Sequence, residues 1–344
     1  MNSYATLRQE IEDICFKQNN YPSAWPIHES CPCCGSQSIK YSFSKYNMAH
    51  WICRSCKFVF LNPYPNLAIL ERLYNASYYP AVRKYIEIPK AIQGDRNASL
   101  SLSSEIYSEI ISYVGNRKQE GKWLDVGGGI GGFLNHVRTM YPHFDLSLNE
   151  KNTEAHVFAQ DFYGLKVYSE PPETLAQQGI RFDIITILSV LEHTSHPLEF
   201  IRSYAALLNT NGLLIINIPR LSKLNRWVSK SSSSNIIPPY HLSFFNEKNI
   251  ISLLSRVRGF NNIDWWQCGH KAFSLFDIMQ IGEYFDVETP QCEMISPKCI
   301  QVKSYTPLKD KIINKLAKYD RLLEPIITKI DGKLFLNVVA TMGE

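Results

Sequence analysis

Lys122-Trp-Leu-Asp-Val-Gly-Gly-Gly-Ile-Gly-Gly-Phe133 is the stretch on which the reading of this chain turns. Apolar residues run into five glycines, and an apolar-periodic segment from Phe133 to Met140 follows, which is the pattern of strand, tight turn and helix. Glycine serves such a turn twice: it permits backbone angles that a side chain forbids, and it lets a ligand approach the main chain closely. The helix behind the turn offers its N-terminal amides and the positive end of its dipole to a polar or anionic ligand.

Two adenosine ligands fit the glycines. Gly127, Gly129 and Gly132 satisfy the dinucleotide fingerprint G-x-G-x-x-G, which points to NAD. Gly127, Gly129 and Gly131, with Asp125 ahead of them and Gly128 between, equally fit the D-x-G-x-G-x-G turn of enzymes that bind S-adenosylmethionine. Downstream, Asp145 to Glu150 reads as a second strand ending in an acid. Glu150 falls about twenty residues after the glycines, where a carboxylate accepts both hydroxyls of an adenosine ribose; this serves either cofactor.

Further strands are expected at Leu165–Tyr168, Phe182–Leu188, Gly212–Pro219, Asn262–Trp266 and Leu334–Met342, with helical segments between most of them. The runs at Phe182 and Gly212 are almost wholly apolar, as in a parallel sheet covered on both faces. The expected architecture is therefore α/β, a doubly wound, Rossmann-like, mostly parallel sheet of seven strands. Ligands of such sheets bind beyond the C-terminal strand ends. That rule selects Gly127 to Gly131, Glu150, Ser169, Ser189 to His193 with Glu192 among them, and Pro219 to Arg220.

Ahead of this region the chain carries a different signal. Of its nine cysteines, five lie between Cys31 and Cys56, and Cys31, Cys34, Cys53 and Cys56 form two C-x2-C pairs with a ribbon-like separation. Four thiolates give zinc a closed tetrahedral shell, so a structural ion is expected there, with Cys33 a spectator. A module of this size needs such a staple. The segment between the pairs has only Lys40 and Lys45, and the net charge is +4, so nucleic acid is not an expected partner. Clustered cysteines, no apolar run long enough to span a bilayer, and acidic residues at Glu10, Glu12 and Asp13 in place of a secretory signal lead to a soluble, cytoplasmic expectation. The chain divides into a helix and zinc-ribbon module over 1–65, a helical connector over 66–100, and a cofactor-binding domain over 101–344 with a helical insertion at about 271–330. Tyr74, Tyr78, Tyr79 and Tyr85 mark the connector as a packing surface or a cover for a bound molecule.

Leu124-Asp-Val-Gly-Gly-Gly-Ile-Gly131, Phe182-Asp183, Ser189-Val-Leu-Glu-His193, Leu207 to Gly212, Ile218-Pro219 and His241-Leu-Ser-Phe-Phe245 together resemble the successive motifs of class I S-adenosylmethionine-dependent methyltransferases. The cysteine ribbon is similar to the one that opens C-methyltransferases of nucleotide-linked deoxysugars. The resemblance implies S-adenosylmethionine held by Asp125, Gly127, Gly128, Gly129, Gly131, Glu150, Ser169, Ser189 and Glu192, and a sugar or sugar-derived acceptor. An NAD-linked oxidoreductase and a zinc-ribbon RNA methyltransferase are the alternatives.

Methyl transfer from a sulfonium asks mainly for in-line positioning and removal of a proton from the acceptor. An imidazole titrates near neutrality and suits that role, so His241 is expected to be the base, assisted by Tyr240 through its hydroxyl, with His193 competing. Arg220 to Pro239 is expected to form a lid. Its Arg220, Lys223, Arg226 and Lys230 would suit an anionic acceptor.

Overall fold

Alternation of side chains across a strand explains how one run of apolar residues serves two cores. In the computed structural model, which describes residues 3–94, 104–222, 224, 227, 236–271, 319 and 322–343, Leu124, Ile185, Ile187, Leu214 and Ile216 face one side of a central sheet. Trp123, Ile184, Leu213 and Ile215 face the other.

In chain order the elements are α1 (Ser3–Ile11), β1 (Ile39–Lys45), β2 (Met48–Cys53), β3 (Val59–Leu61), α2 (Leu67–Tyr74), α3 (Tyr78–Val82), α4 (Ile88–Ile92) and α5 (Ser104–Gly115). Then come β4 (Gly121–Val126), α6 (Gly132–Met140), β5 (Phe144–Asn149), α7 (Thr153–Tyr163), β6 (Lys166–Tyr168), α8 (Pro172–Gln177), β7 (Phe182–Leu188) and α9 (Pro197–Ala205). The last are β8 (Leu208–Pro219), β9 (Ser243–Phe244), α10 (Glu247–Leu254), β10 (Phe260–Lys271) and β11 (Lys333–Met342), with a helix over 322–331 ahead of β11.

Seven strands form the central sheet in the order β10-β11-β8-β7-β4-β5-β6. β4 pairs parallel with both β5 and β7, and β11 alone is reversed, antiparallel to β8 and β10. The chain leaves β4 outward through β5 and β6, then crosses to β7 and β8, so strand order reverses beside β4 and opens a crevice at its C-terminal end. α5 and α6 cover one face; α8, α9 and α10 cover the other. The expected doubly wound, mostly parallel seven-stranded sheet is present, with the sixth strand longer than Asn262–Trp266.

A second, antiparallel sheet has the order β1-β2-β3-β9. Its fourth strand arrives from far down the chain: Ser243 and Phe244 pair with Phe60 and Val59. Cys31, Cys33, Phe58 and Phe60 share a core with Leu191, Phe245 and Ile250, so the cysteine module and the sheet domain are packed into each other. Most of the proposed insertion at about 271–330 and part of the proposed lid, including Lys223, Arg226, Lys230 and the four serines, lie outside the described residues.

Candidate active site

At the glycine turn, the amide of Gly127 donates to the Asn149 carbonyl at 2.8 Å, tying the turn to the end of β5. Gly127, Gly129 and Gly131 have φ of 65°, 58° and 86°, the left-handed region that glycine enters without cost. Gly128 is required for a different reason: a Cβ there would lie 2.1 Å from Asp125 Oδ2. At Gly129 a Cβ would meet nothing within 4 Å among the described residues, which leave open space beside its main chain.

Asp125, at 1% exposure, accepts from the Thr186 hydroxyl at 2.7 Å, and Trp123 Nε1 donates to that same hydroxyl at 3.1 Å. Burial pushes the Asp125 carboxyl up to about 7; the Thr186 hydroxyl opposes this and the charge of Glu150 adds to it. A carboxyl that keeps its proton in the fold from its ordinary value of 3.8 to about 7 stabilises the fold at the acid end of that window and loses that contribution as pH rises through it. Asp125→Asn is therefore expected to gain stability over the parent as pH rises from about 4 to about 7 in urea titrations. A pH-independent difference would contradict the assignment.

Glu150 stands at the end of β5 and accepts from the Gly129 amide at 3.0 Å and the Asn152 amide at 2.8 Å. Burial raises its carboxyl above the usual range, while those amides and Arg83 pull the other way. Asn152 caps α7 by accepting from Ala155 N, which fixes the chain just after Glu150. Ser169 is exposed, its amide donating to Glu170 Oε2.

On the β7 side, Ser189 has φ of 53° and a buried hydroxyl without a partner among the described residues. Glu192 is 3% exposed; its Oε2 is buried and has no partner among the described residues, and burial pushes its carboxyl up to about 8. The rings of His193 and His241 meet edge to face at 4.9 Å. His193 Nδ1 lies 3.0 Å from both the Tyr240 carbonyl and the Tyr74 hydroxyl, and burial lowers this imidazole to about 4. Leu242 N donates to the Glu192 carbonyl at 2.7 Å, so the residue just ahead of the strand that completes the cysteine sheet also clamps this loop. Glu192, His193 and His241 each present a ligand atom within 4.8 Å of the others.

Tyr240 is fully buried, its hydroxyl without a partner among the described residues, its ring against those of Tyr74 and Tyr79. Those two tyrosines belong to the connector, and the connector reaches further. Ile88 and Ala91 pack on Ile130 and Ala155, and Arg83 pairs with Glu154 at 3.4 Å. The connector thus bridges the glycine turn and the histidine pair. Only its tyrosines were legible; Arg83 has no sequence motif to single it out.

Arg220, expected to face an anionic acceptor, is 7% exposed and already compensated. Its Nε pairs with Glu247 at 2.5 Å and its Nη2 lies 3.8 Å from Asp331.

Cys31, Cys34, Cys53 and Cys56 bring their sulfurs within 4.8 Å of one another, with 3.6 Å across Cys31–Cys56 and Cys34–Cys53. Four sulfurs around zinc at ~2.3 Å stand about 3.8 Å apart, so the set fits that ion. Cys33 Sγ instead points at the Asn249 carbonyl, 3.5 Å away.

Residues 100–264 match the family described as a methyltransferase domain. No curated protein matches the chain. Among solved structures the chain is similar to a SAM-dependent methyltransferase from Archaeoglobus fulgidus (14% identity, TM-score 0.45, covering 75% of this chain and 99% of that one). It is also similar to a possible histamine N-methyltransferase from Thermotoga maritima (15%, 0.42, 75% and 99%) and to the plantazolicin methyltransferase BpumL in complex with SAH (13%, 0.44, 79% and 92%). Likeness at this level says nothing of the acceptor.

Strand order, glycine turn and domain match define an enzyme that transfers a methyl group. It is a class I methyltransferase that uses S-adenosylmethionine.

Proposed function

We propose that this enzyme methylates a sugar or sugar-derived metabolite, a nucleotide-sugar or a glycan, with a histidine assisting removal of the acceptor's proton. The observation that carries the donor site is the Gly129–Glu150 pairing beside open space at the main chain: Glu150 receives the ribose hydroxyls, and the turn accommodates the rest of the cofactor. Asp125, Gly127, Gly128, Gly131, Ser169, Ser189 and Glu192 complete this proposed donor site around the strand ends. Calorimetric titration with S-adenosylmethionine and S-adenosylhomocysteine tests it, and absence of heat from both would sink the reading.

The acceptor is assigned to the space beside His193 and His241, under the connector's tyrosines. His241 is the residue to which proton removal is assigned; the Tyr240 hydroxyl, expected to assist, is buried with its ring against Tyr74 and Tyr79, so Tyr240 supports instead through the carbonyl that holds His193. A small-molecule or glycan acceptor remains the reading; since Arg220 is compensated, any anionic group must be met by other residues. Zinc in the four-cysteine set is proposed as a structural ion, and reduced cysteines there support a cytoplasmic enzyme. Among the described residues no helix is long and apolar enough to cross a membrane.

His241→Ala is expected to reduce kcat at least ~100-fold, the scale of one general base, with S-adenosylhomocysteine affinity within a few-fold of the parent. Loss of cofactor affinity instead would make His241 a structural residue.

A further inference from the structure

Glu192 poses a problem that the donor site leaves unsolved. A carboxylate this buried calls for a partner. Its Oε2 has none among the described residues, although two imidazoles stand close by. We propose that Glu192, His193 and His241 bind a divalent transition-metal ion, distinct from the zinc of the cysteine ribbon, and that this ion takes the acceptor's oxygen.

Three features of the geometry carry the assignment. One ligand atom from each of the three residues lies within 4.8 Å of the other two, close enough to share one ion. Two imidazoles and one carboxylate are a donor set for a transition metal that keeps open positions, unlike the closed shell of four sulfurs. Finally, His193 Nδ1 lies 3.0 Å from the Tyr240 carbonyl. A ligating imidazole usually gives one N–H to such a carbonyl, which fixes the ring and leaves the other nitrogen's lone pair for the metal. The Leu242 amide, donating to the Glu192 carbonyl, pins the same loop from the other side.

The inference rests on the methyltransferase reading of this site and recasts His241, which assists proton removal as a ligand of the ion and not as the base itself. An ion there lowers the pKa of a coordinated hydroxyl by stabilising the oxyanion. The proton passes to hydroxide bound from solvent, giving water. The acceptor oxygen then forms its bond to the methyl carbon as the carbon–sulfur bond breaks, and the sulfonium becomes a neutral thioether. Open positions on one ion suit an acceptor with two adjacent oxygens, as on a sugar ring.

Metal analysis of the full-length protein tests the assignment directly. The parent is expected to carry, or to take up on titration with Zn2+, one ion beyond that of the ribbon. Glu192→Gln and His241→Ala should each lose that ion while retaining the ribbon's. Titration with Mn2+ followed by electron paramagnetic resonance gives an independent readout, because the soft thiolates of the ribbon disfavour Mn2+. Bound Mn2+ should appear in the parent and fall at least ~10-fold in the Gln variant, whose shape is unchanged. If the parent binds neither Mn2+ nor Zn2+ beyond what Glu192→Gln binds, the inference is wrong. S-adenosylhomocysteine titration of the same samples separates that failure from failure of the methyltransferase reading, since cofactor binding without an ion leaves the donor site standing and removes only the metal.

Discussion

Cys53→Ser is expected to cost the protein the metal proposed for its ribbon, much of its stability and nearly all its turnover, while the glycine turn still binds cofactor in whatever fraction remains folded. Cys53 is fully buried, and its sulfur stands 3.6 Å from that of Cys34. An ion held by four thiolates contributes on the order of 10 kcal/mol to the folding of a small module, so losing one ligand removes a large part of that contribution. The damage should travel. β3 pairs with β9, and the Leu242 amide beside β9 holds the Glu192 carbonyl. Loosening the ribbon therefore releases the loop that carries His193 and the turn that carries His241. Zinc content, thermal midpoint and kcat should all fall together, with kcat falling more than cofactor affinity. Cys33→Ser is the matched control: its sulfur faces the Asn249 carbonyl, so the metal should stay. A Cys53→Ser protein with unchanged zinc and midpoint would remove the ion from the account.

The sequence revealed those parts of the fold that local pattern encodes. Apolar runs at Phe182–Leu188 and Gly212–Pro219 must be buried on both faces, and two C-x2-C pairs must converge if they hold one ion. The position of Glu150 beside the glycine turn was legible for the same reason, since it follows from a fixed distance along a β-α-β unit. What could not be read were contacts made across the chain. β9 is two residues long and has no periodicity to detect, yet it fastens the ribbon to the histidine loop. Tyr74 meets His193 across 119 positions. Arg220 shows the opposite failure: its charge was visible, but its neutralisation by Glu247 and Asp331 depends on two distant segments folding back upon it. Glu192 was placed with the donor by motif, whereas its buried, unpartnered oxygen and its nearness to both imidazoles appear only in three dimensions.

Two alanine substitutions one residue apart should fail in different ways, and the contrast tests whether the open space at the turn belongs to the cofactor. In Gly128→Ala the new methyl would sit 2.1 Å from Asp125 Oδ2 and 2.7 Å from Leu148 Cδ1, contacts that no Cβ sustains. Asp125 cannot easily yield, because Thr186 holds it in the buried face of the sheet. The turn or the strand must shift, at about 1–3 kcal/mol for an overpacked site, so folding stability and cofactor affinity should both drop. In Gly129→Ala the methyl meets no atom of the described residues within 4 Å, and the cost to the fold is that of φ 58° for a residue with a side chain, roughly 1–2 kcal/mol. Its main effect should fall on the ligand: a methyl in the space where the cofactor lies beside the backbone is expected to weaken S-adenosylhomocysteine at least ~10-fold, about 1.4 kcal/mol, beyond any effect of stability. Urea unfolding without ligand, paired with calorimetric titration of each variant, separates the two costs. If Gly129→Ala binds the cofactor as the parent does, the space beside Gly129 is not where the cofactor lies, and the donor site must be drawn elsewhere along the strand ends.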